Sequence, residues 1–575
     1  MSPETKNCQN CKNDFIIESE DFLFYQKIKV PPPTFCPECR FFRRLIWRNE
    51  RRLYHRNCAL CSKKTISVYS PESIFNVYCV DCWKKDEWDP QTYALDVDFN
   101  KDFFTQFNEL FKNVPRPAVG QNGKNINSEY ANMIQDVKNV YLSYSVIWDS
   151  ENIFYSNNIS KSKDIYDTYL AQDSNIIYEC IDSTKNYDCA FCDFSSNCVS
   201  SRFLINCRNC QDCIGCVNLR NKRFCILNEQ YSKEEYEKKL KDLNLGNYET
   251  LVNFQKEFYK FNLKLPRQYG HILNSINSTG DNIFSSKNAK YCFSCAGVEN
   301  VKYGFRCPGG LKDAMDVTHK GRGELIYEHA TGGSDLGNNL FFTIYGMPAL
   351  INSEYTDYCG SSADLFGCVG LKNKQYCILN KQYSKEKYFE MIEKIKKHMN
   401  DMPYVGKVGH IYKYGEFFPP EFSPFSYTES VLFDLMPKDK EFLTKFGIDY
   451  GEVEVKRYMP TIKAEELPID IKDTKEDITE HIIQCSVSGK SYRILQSEFE
   501  FYKRMDLPLP RLHQDERYKK RLERLNPMKL WHRSCMCDKD KHGHAGKCTE
   551  EFETSYAPDR PEIVYCEGCY NKEVY

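Results

Sequence analysis

The feature that most narrows what this chain can fold into is the pairing of cysteines three residues apart. Cys8/Cys11 with Cys36/Cys39, and Cys58/Cys61 with Cys79/Cys82, make two consecutive sets of Cys-x-x-Cys knuckles. Tetrahedral Zn2+ takes four thiolate or imidazole ligands, and two knuckles supply them. Seventeen residues separate the knuckles of the second set, a common ribbon spacing, and 24 separate those of the first, enough for a hairpin. Cys36-Pro37-Glu38-Cys39 has the tight-turn composition that a knuckle needs. Residues 1–95 are therefore expected to be a double zinc-ribbon module.

The chain holds 29 cysteines in 575 residues, and its first residues lack the basic and apolar stretches of an export signal. Reduced thiols in a cytoplasmic protein are the expectation, because a disulfide framework would need an export route. No apolar run approaches the length of a membrane span. With 78 basic and 80 acidic residues, net charge says little about partners, but its distribution is uneven. Residues 27–64 carry eleven Lys/Arg against two acids, and residues 503–547 thirteen against six. Two basic ends bracket an acidic middle.

Internal comparison finds two repeats. The first joins the ends: Cys8 to Cys58 and Cys485 to Cys535 are both fifty positions apart. Phe24-Tyr25-Gln26-Lys27 aligns with Phe501-Tyr502-Lys503-Arg504, and Val77-Tyr78-Cys79-Val80-Asp81-Cys82-Trp83 with Val564-Tyr565-Cys566-Glu567-Gly568-Cys569-Tyr570. Residues 481–575 thus read as a degenerate copy of the ribbon module. Its first site has eroded to Cys485, Ser488, His513 and Glu516. Its second is expected to use Cys535, Cys537, Cys566 and Cys569, with Cys548 or His544 as substitutes from an insertion that also adds His542. About three structural Zn2+ sites are expected.

The second repeat lies in the middle, at an offset of 152: Gly215-Cys216-Val217 recurs as Gly367-Cys368-Val369, and Gln230-Tyr231-Ser232-Lys233-Glu234 as Gln382-Tyr383-Ser384-Lys385-Glu386. Each Ser reads as the N-cap of a helix. Upstream, Asn139, Asn152, Asp164, Asn175, Asn186 and Asn197 recur every 11–13 residues, most followed by β-branched and aromatic residues. Short strands between Asn/Asp/Ser turns at this spacing suggest half-turns of a β-solenoid coil, with a sandwich of hairpins as the alternative.

The fold class expected is mainly β with a few helices: zinc ribbons at both ends and a duplicated β-solenoid-like (β-helix) centre. The segments are 1–95, the double ribbon; 96–127, a helical connector with Phe103, Phe104, Phe107, Leu110 and Phe111 on one face; 128–265 and 266–402, the two repeats, each ending in a helix; 403–480, a Pro-rich, charged tether; and 481–575, the degenerate module.

Cys207, Cys210, Cys213 and Cys216 imitate an iron–sulfur run. Their counterparts at offset 152 are Cys359, Ser362, Leu365 and Cys368, so small buried side chains stacked between strands explain them better. Between the two ribbon sites run Arg40, Arg43, Arg44, Arg48, Arg51, Arg52 and Arg56, interleaved with aromatics; on a helix, 40, 44, 48, 51 and 52 share a face. Guanidinium groups on a rigid scaffold suit phosphate, and aromatics suit unpaired bases. The competing expectation is a face that pairs with the acidic middle of the same chain.

His271, His319, His329 and His410 lack motif partners, and no catalytic residue is assigned. The order Cys-x-x-Cys, Pro-Pro-Pro-Thr-Phe-Cys-Pro-Glu-Cys-Arg, Arg-Asn-Glu-Arg-Arg-Leu-Tyr, Val-Tyr-Cys-Val-Asp-Cys-Trp, Leu-Arg-Asn-Lys and Tyr-Ser-Lys-Glu-Glu-Tyr resembles an uncharacterised family of uncultured small-genome bacteria. The resemblance spans nearly the whole chain. It implies zinc ribbons with a cysteine-rich repeat region; some members carry a CaiB/BaiF CoA-transferase label that no motif here supports. Three functions follow as expectations: a non-enzymatic zinc protein binding nucleic acid, RNA or ribosome rather than DNA; a scaffold binding protein through its solenoid faces; and a metal-redox enzyme. Oligomeric state is not legible.

Overall fold

The computed structural model describes residues 2–332, 336–452 and 458–575. Two large, nearly all-parallel sheets dominate, one from Gln121–Ile126 to Arg223–Ile226 and one from Ile272–Leu273 to Gln375–Ile378. Within each, a strand pairs with the strand about twelve residues later: Asn157↔Tyr169, Tyr169↔Ile181 and, along a second row, Lys163↔Asn175 and Asn175↔Tyr187. The 11–13-residue punctuation is therefore the full distance between paired strands, not half of it. In the second sheet the offset drifts to 13 or 14 (Glu299↔Lys312, Ile326↔Leu340), which explains its looser sequence pattern.

A rhythm of three residues lies beneath the twelve. Asn152, Tyr155, Asn158, Lys161, Asp164, Asp167, Leu170 and Asp173 all have φ between 48° and 61°. A non-glycine residue held there is strained, and Asn and Asp tolerate it best. Side-chain ladders offset some of that cost: Asn139 Nδ2 donates to Asn152 at 2.9 Å, and Asn152 Nδ2 to Asp164 at 2.7 Å. The residue after each left-handed position points inward. Ile153, Ser156, Ile159, Ser162, Ile165, Thr168 and Ala171 are all buried.

The inward small polar residues close the corners. Ser156 Oγ donates to the Phe154 carbonyl at 2.8 Å and accepts the Thr168 amide at 3.0 Å. Thr168 repeats this toward Tyr166 and the Cys180 amide, and Cys180 Sγ toward Tyr178 and the Cys192 amide. One chain of hydroxyls and thiols thus satisfies buried amides that the strand ladders leave over. Cysteine here occupies a serine's position with a bulkier, less polar atom.

The helix Phe103–Asn113 buries Phe103, Phe104, Phe107, Leu110 and Phe111 as the apolar spacing predicts. Ser232 and Ser384 cap helices Lys233–Leu243 and Lys385–Asp401. The described residues of the segment 403–480 pack into two cores. Phe417 and Phe418 are fully buried in a core shared with the N-terminal module and the helical connector, while Leu467 and Ile471 join a core with Phe499 and Tyr502.

The terminal modules cross over the two sheets. Near the N-terminus, Val77–Tyr78 pairs with Arg116–Pro117 at the entrance to the first sheet, while helix Pro37–Leu45 lies on the second. Near the C-terminus, Val564–Tyr565 pairs with Arg267–Gln268 at the entrance to the second sheet, while helix Gln514–Arg524 lies on the first. Each module therefore straddles both sheets. They also meet one another: Arg51 lies 3.1 Å from Asp515 and over the Tyr518 ring.

Candidate metal centres and the buried arginine clamps

Each ribbon is assembled from the same local parts. Cys8 and Cys11 sit in the turn between Glu4–Asn7 and Asp14–Ile17, where Lys12 takes φ 61°; Cys58 and Cys61 sit in the matching turn, with Ser62 at φ 61°. The second knuckle of each set starts at a helix N-cap: Cys36 for Pro37–Leu45, Cys79 for Val80–Lys84 and Cys566 for Glu567–Val574. Free amides at a helix start favour a thiolate there.

The four thiols of Cys8/Cys11/Cys36/Cys39 lie within 4.8 Å of one another, as do those of Cys58/Cys61/Cys79/Cys82. Sγ separations of 3.7 Å (Cys11–Cys36) and 3.9 Å (Cys61–Cys79) match the edge of a tetrahedron around an ion with metal–sulfur bonds of about 2.3 Å, roughly 3.8 Å. In both sites a backbone amide donates across the site to the first sulfur, Cys36 to Cys8 and Cys79 to Cys58, each at 3.2 Å. Burial opposes ionisation of Cys58, but the amides of Cys61 and Cys79 hold its thiol down at about 7. These two sets can each hold a metal ion, and the donor set suits Zn2+.

The C-terminal module differs from the expected ligand set. The third four-thiol group is Cys535, Cys548, Cys566 and Cys569, with Cys566 donating its amide to Cys535 Sγ at 3.2 Å. Cys548, not Cys537, completes it; Cys537 turns instead to His542, His544 and Cys569. At the eroded site, His513 is the helix N-cap and accepts the Asp515 amide through its own ring, so one former ligand position now caps a helix. The repeat-region thiols do not gather into such groups among the described residues. Cys207, Cys210, Cys213 and Cys216 donate instead to the carbonyls two residues back, at 3.3–3.6 Å.

The arginines between the ribbon sites are turned inward. The helix ends at Leu45, so the shared helical face does not run to position 52. Arg43 and Arg44 are 0% exposed. Arg40 lies 2.8 Å from Asp316; Arg43 bridges Glu328 (2.7 Å) and Glu416 (2.8 Å); Arg44 bridges Asp316 (3.0 Å) and Glu328 (3.2 Å). Arg48 reaches Glu50 at 2.8 Å, Arg51 and Arg52 flank Asp515, and Arg56 donates to the Ser70 and Phe75 carbonyls. Arg40, Arg43, Arg44 and Arg48 are buried and Arg51, Arg52 and Arg56 half-buried; carboxylates and carbonyls of the same chain take all seven. The pairing recurs at the other end, where Arg517, Arg521 and Arg524 engage Asp167, Glu179 and Asp193 of the first sheet.

Where the N-terminal module and both sheets converge, Glu50 binds Arg48 and Arg306. Burial favours its neutral form, yet Arg306 and Arg48 hold it ionised, at about 2. His319 accepts from Arg48 through Nδ1 at 3.2 Å and faces Ser145 through Nε2 at 3.3 Å. Burial, then Arg48 and Arg306, push it down to about 3, so the ring is neutral. His271 stacks on Phe194 and lies 3.0 Å from Asp281; both residues were outside any motif in the sequence. Among the described residues, no helix is long and apolar enough to cross a membrane. In comparison with known proteins, no family model matches the chain, and no curated protein or solved structure matches it.

Proposed function

We propose that this chain is a zinc-stapled scaffold, in which two ribbon modules clamp a pair of β-solenoids, each wound at about twelve residues per coil, into one rigid body whose outer faces serve a protein partner. The observation that carries this reading is the crosswise burial of both arginine clusters. Arg40, Arg43 and Arg44 sit on the second sheet, and Arg517 and Arg521 on the first, each against carboxylates that are themselves buried. Zinc at the ribbons then acts on rigidity: it fixes the helices that carry those arginines. The alternative in which the same arginines contact RNA or DNA requires them to leave these carboxylates, at the cost of several buried, uncompensated charges.

Purification of the full chain tests this reading. The expected product contains zinc, has the 260/280 absorbance ratio of protein alone, and becomes protease-sensitive in residues 1–95 and 481–575 after chelation while the parallel sheets stay protected. Co-purified nucleic acid that dissociates with rising salt would overturn it, as would a chain that carries no zinc and resists protease equally with and without chelator.

A further inference from the structure

The C-terminal ribbon carries more ligands than one tetrahedral ion uses. Cys535, Cys548, Cys566 and Cys569 converge within 4.8 Å, and so do Cys537, His542, His544 and the same Cys569. We propose that this ribbon holds two metal ions joined by the Cys569 thiolate, one bound by four cysteines and the other by two cysteines and two histidines. The inference rests on the reading that the ribbons bind zinc, and adds a fourth ion to the three expected.

The imidazoles are oriented for this. His542 faces Cys537 Sγ through Nδ1 at 3.1 Å, while its Nε2 lies 3.1 Å from Glu573. His544 faces Cys569 Sγ through Nε2 at 3.3 Å, while its Nδ1 lies 2.8 Å from the Gly546 carbonyl. Each ring thus turns one nitrogen to the sulfurs and the other toward an oxygen; for His544 this is a hydrogen bond to the Gly546 carbonyl, which sets tautomer and direction in histidine metal ligands, and for His542 it is a close approach to Glu573 without hydrogen-bond geometry. Bonds of about 2.3 Å to sulfur and 2.0–2.1 Å to nitrogen place S and N roughly 3.6 Å apart, within about half an ångström of these two S–N distances. His542 and Cys537 are buried, and His542 is 4% exposed.

The loop that supplies the second site is built, not loose. In the second N-terminal ribbon the turn between Tyr54–Asn57 and Lys64–Ser67 spans six residues; here the turn between Trp531–Ser534 and Glu551–Thr554 spans sixteen. The added chain folds through a helical turn at Asp540–His542, with Gly543 at φ 88°, and Asp540 accepts the Gly546 amide at 2.7 Å. Lys539 holds Glu573 at 2.5 Å behind His542. Charge supports sharing: five thiolates and two neutral imidazoles around two divalent ions leave one net negative charge, and Lys539 and Lys572 stand close by.

Native mass spectrometry and elemental analysis of the full chain test the proposal. Four ions per chain are expected, falling to three in the His542→Ala/His544→Ala double variant and to two in Cys569→Ser, which removes the shared ligand. Reconstitution of the unaltered chain with 113Cd gives a second measurement that needs no variant: two C-terminal resonances with mutual 113Cd–113Cd coupling. Three ions per chain, unchanged by the double histidine variant, would overturn the bridged pair while leaving the ribbons as metal sites. Four ions with only one lost in Cys569→Ser, or 113Cd resonances without coupling, would refute the bridge. A chain with no metal would remove the underlying zinc reading as well.

Discussion

Arg44→Met is the sharpest probe of whether the basic segments are interior clamps. Around helix Pro37–Leu45, three guanidinium groups (Arg40, Arg43, Arg44) face three carboxylates (Asp316, Glu328, Glu416), all buried. Arg44 touches two of the acids, at 3.0 and 3.2 Å. At an effective dielectric near 20, each contact is worth about 5 kcal/mol before desolvation. Methionine fills much of the volume but leaves three acids to two cations, and an uncompensated buried charge costs about 3–5 kcal/mol. Arg40 and Arg43 still hold Asp316 and Glu328, so the lower end, about 3 kcal/mol, is expected. Lys27→Met is the internal control: Lys27 pairs with Asp313 at 2.7 Å, but at 49% side-chain exposure it should change stability by less than about 1 kcal/mol. Hydrogen exchange in urea reads both, and the Arg44→Met effect should concentrate in residues 37–45 and 311–332. If Arg44→Met costs no more than Lys27→Met, the arginines are solvated in solution and free to meet phosphate, and the clamp argument fails.

Two further outcomes follow from the interior. His319 is held at about 3 by burial and by Arg48 and Arg306, below its unfolded value near 6.5, so the folded state binds fewer protons than the unfolded one. Its contribution is complete above pH 6.5 and is lost as pH falls toward 3, adding up to about 1.4 kcal/mol per pH unit to acid sensitivity; urea midpoints from pH 7 to 5 should fall less steeply in His319→Gln, and parallel curves would refute its burial as a neutral ring. Ser156→Ala leaves the buried Thr168 amide without its acceptor and should cost about 1–3 kcal/mol, whereas Ser156→Cys, which copies Cys180 and Cys192, should be milder; a loss in Ser156→Cys as large as in Ser156→Ala, measured by urea unfolding, would refute the thiol as a replacement acceptor at this position.

Spacing alone carried the local chemistry a long way. Cys-x-x-Cys pairs, one in a hairpin turn and one opening a helix in each set, are sequence-local, so the two N-terminal four-thiol groups were legible residue by residue. The offset of 152 and the aligned Ser362 and Leu365 were enough to read Cys207–Cys216 as packing residues, and the inward column of serines, threonines and cysteines bears the same logic. The left-handed Asn and Asp residues were visible as turn punctuation, but punctuation cannot say which strands pair, and paired strands lie one punctuation interval apart, half the coil length that the half-turn reading implies. Cys537 and Cys548 could not be told apart, because a sixteen-residue turn places ligands by its own folding and not by spacing.

Short stretches of chain settle knuckles, caps, corners and the likeness of one end to the other, and these could be read before any fold was known. Partnership across hundreds of residues emerges only in the folded chain. Arg40 and Arg44 meet Asp316 and Glu328, and Arg521 meets Asp167 and Glu179, because each module reaches past one sheet to the other. A run of arginines reads the same whether it faces phosphate or carboxylate. The charge is local, but the low-dielectric pocket that fixes its partner is made by the whole fold.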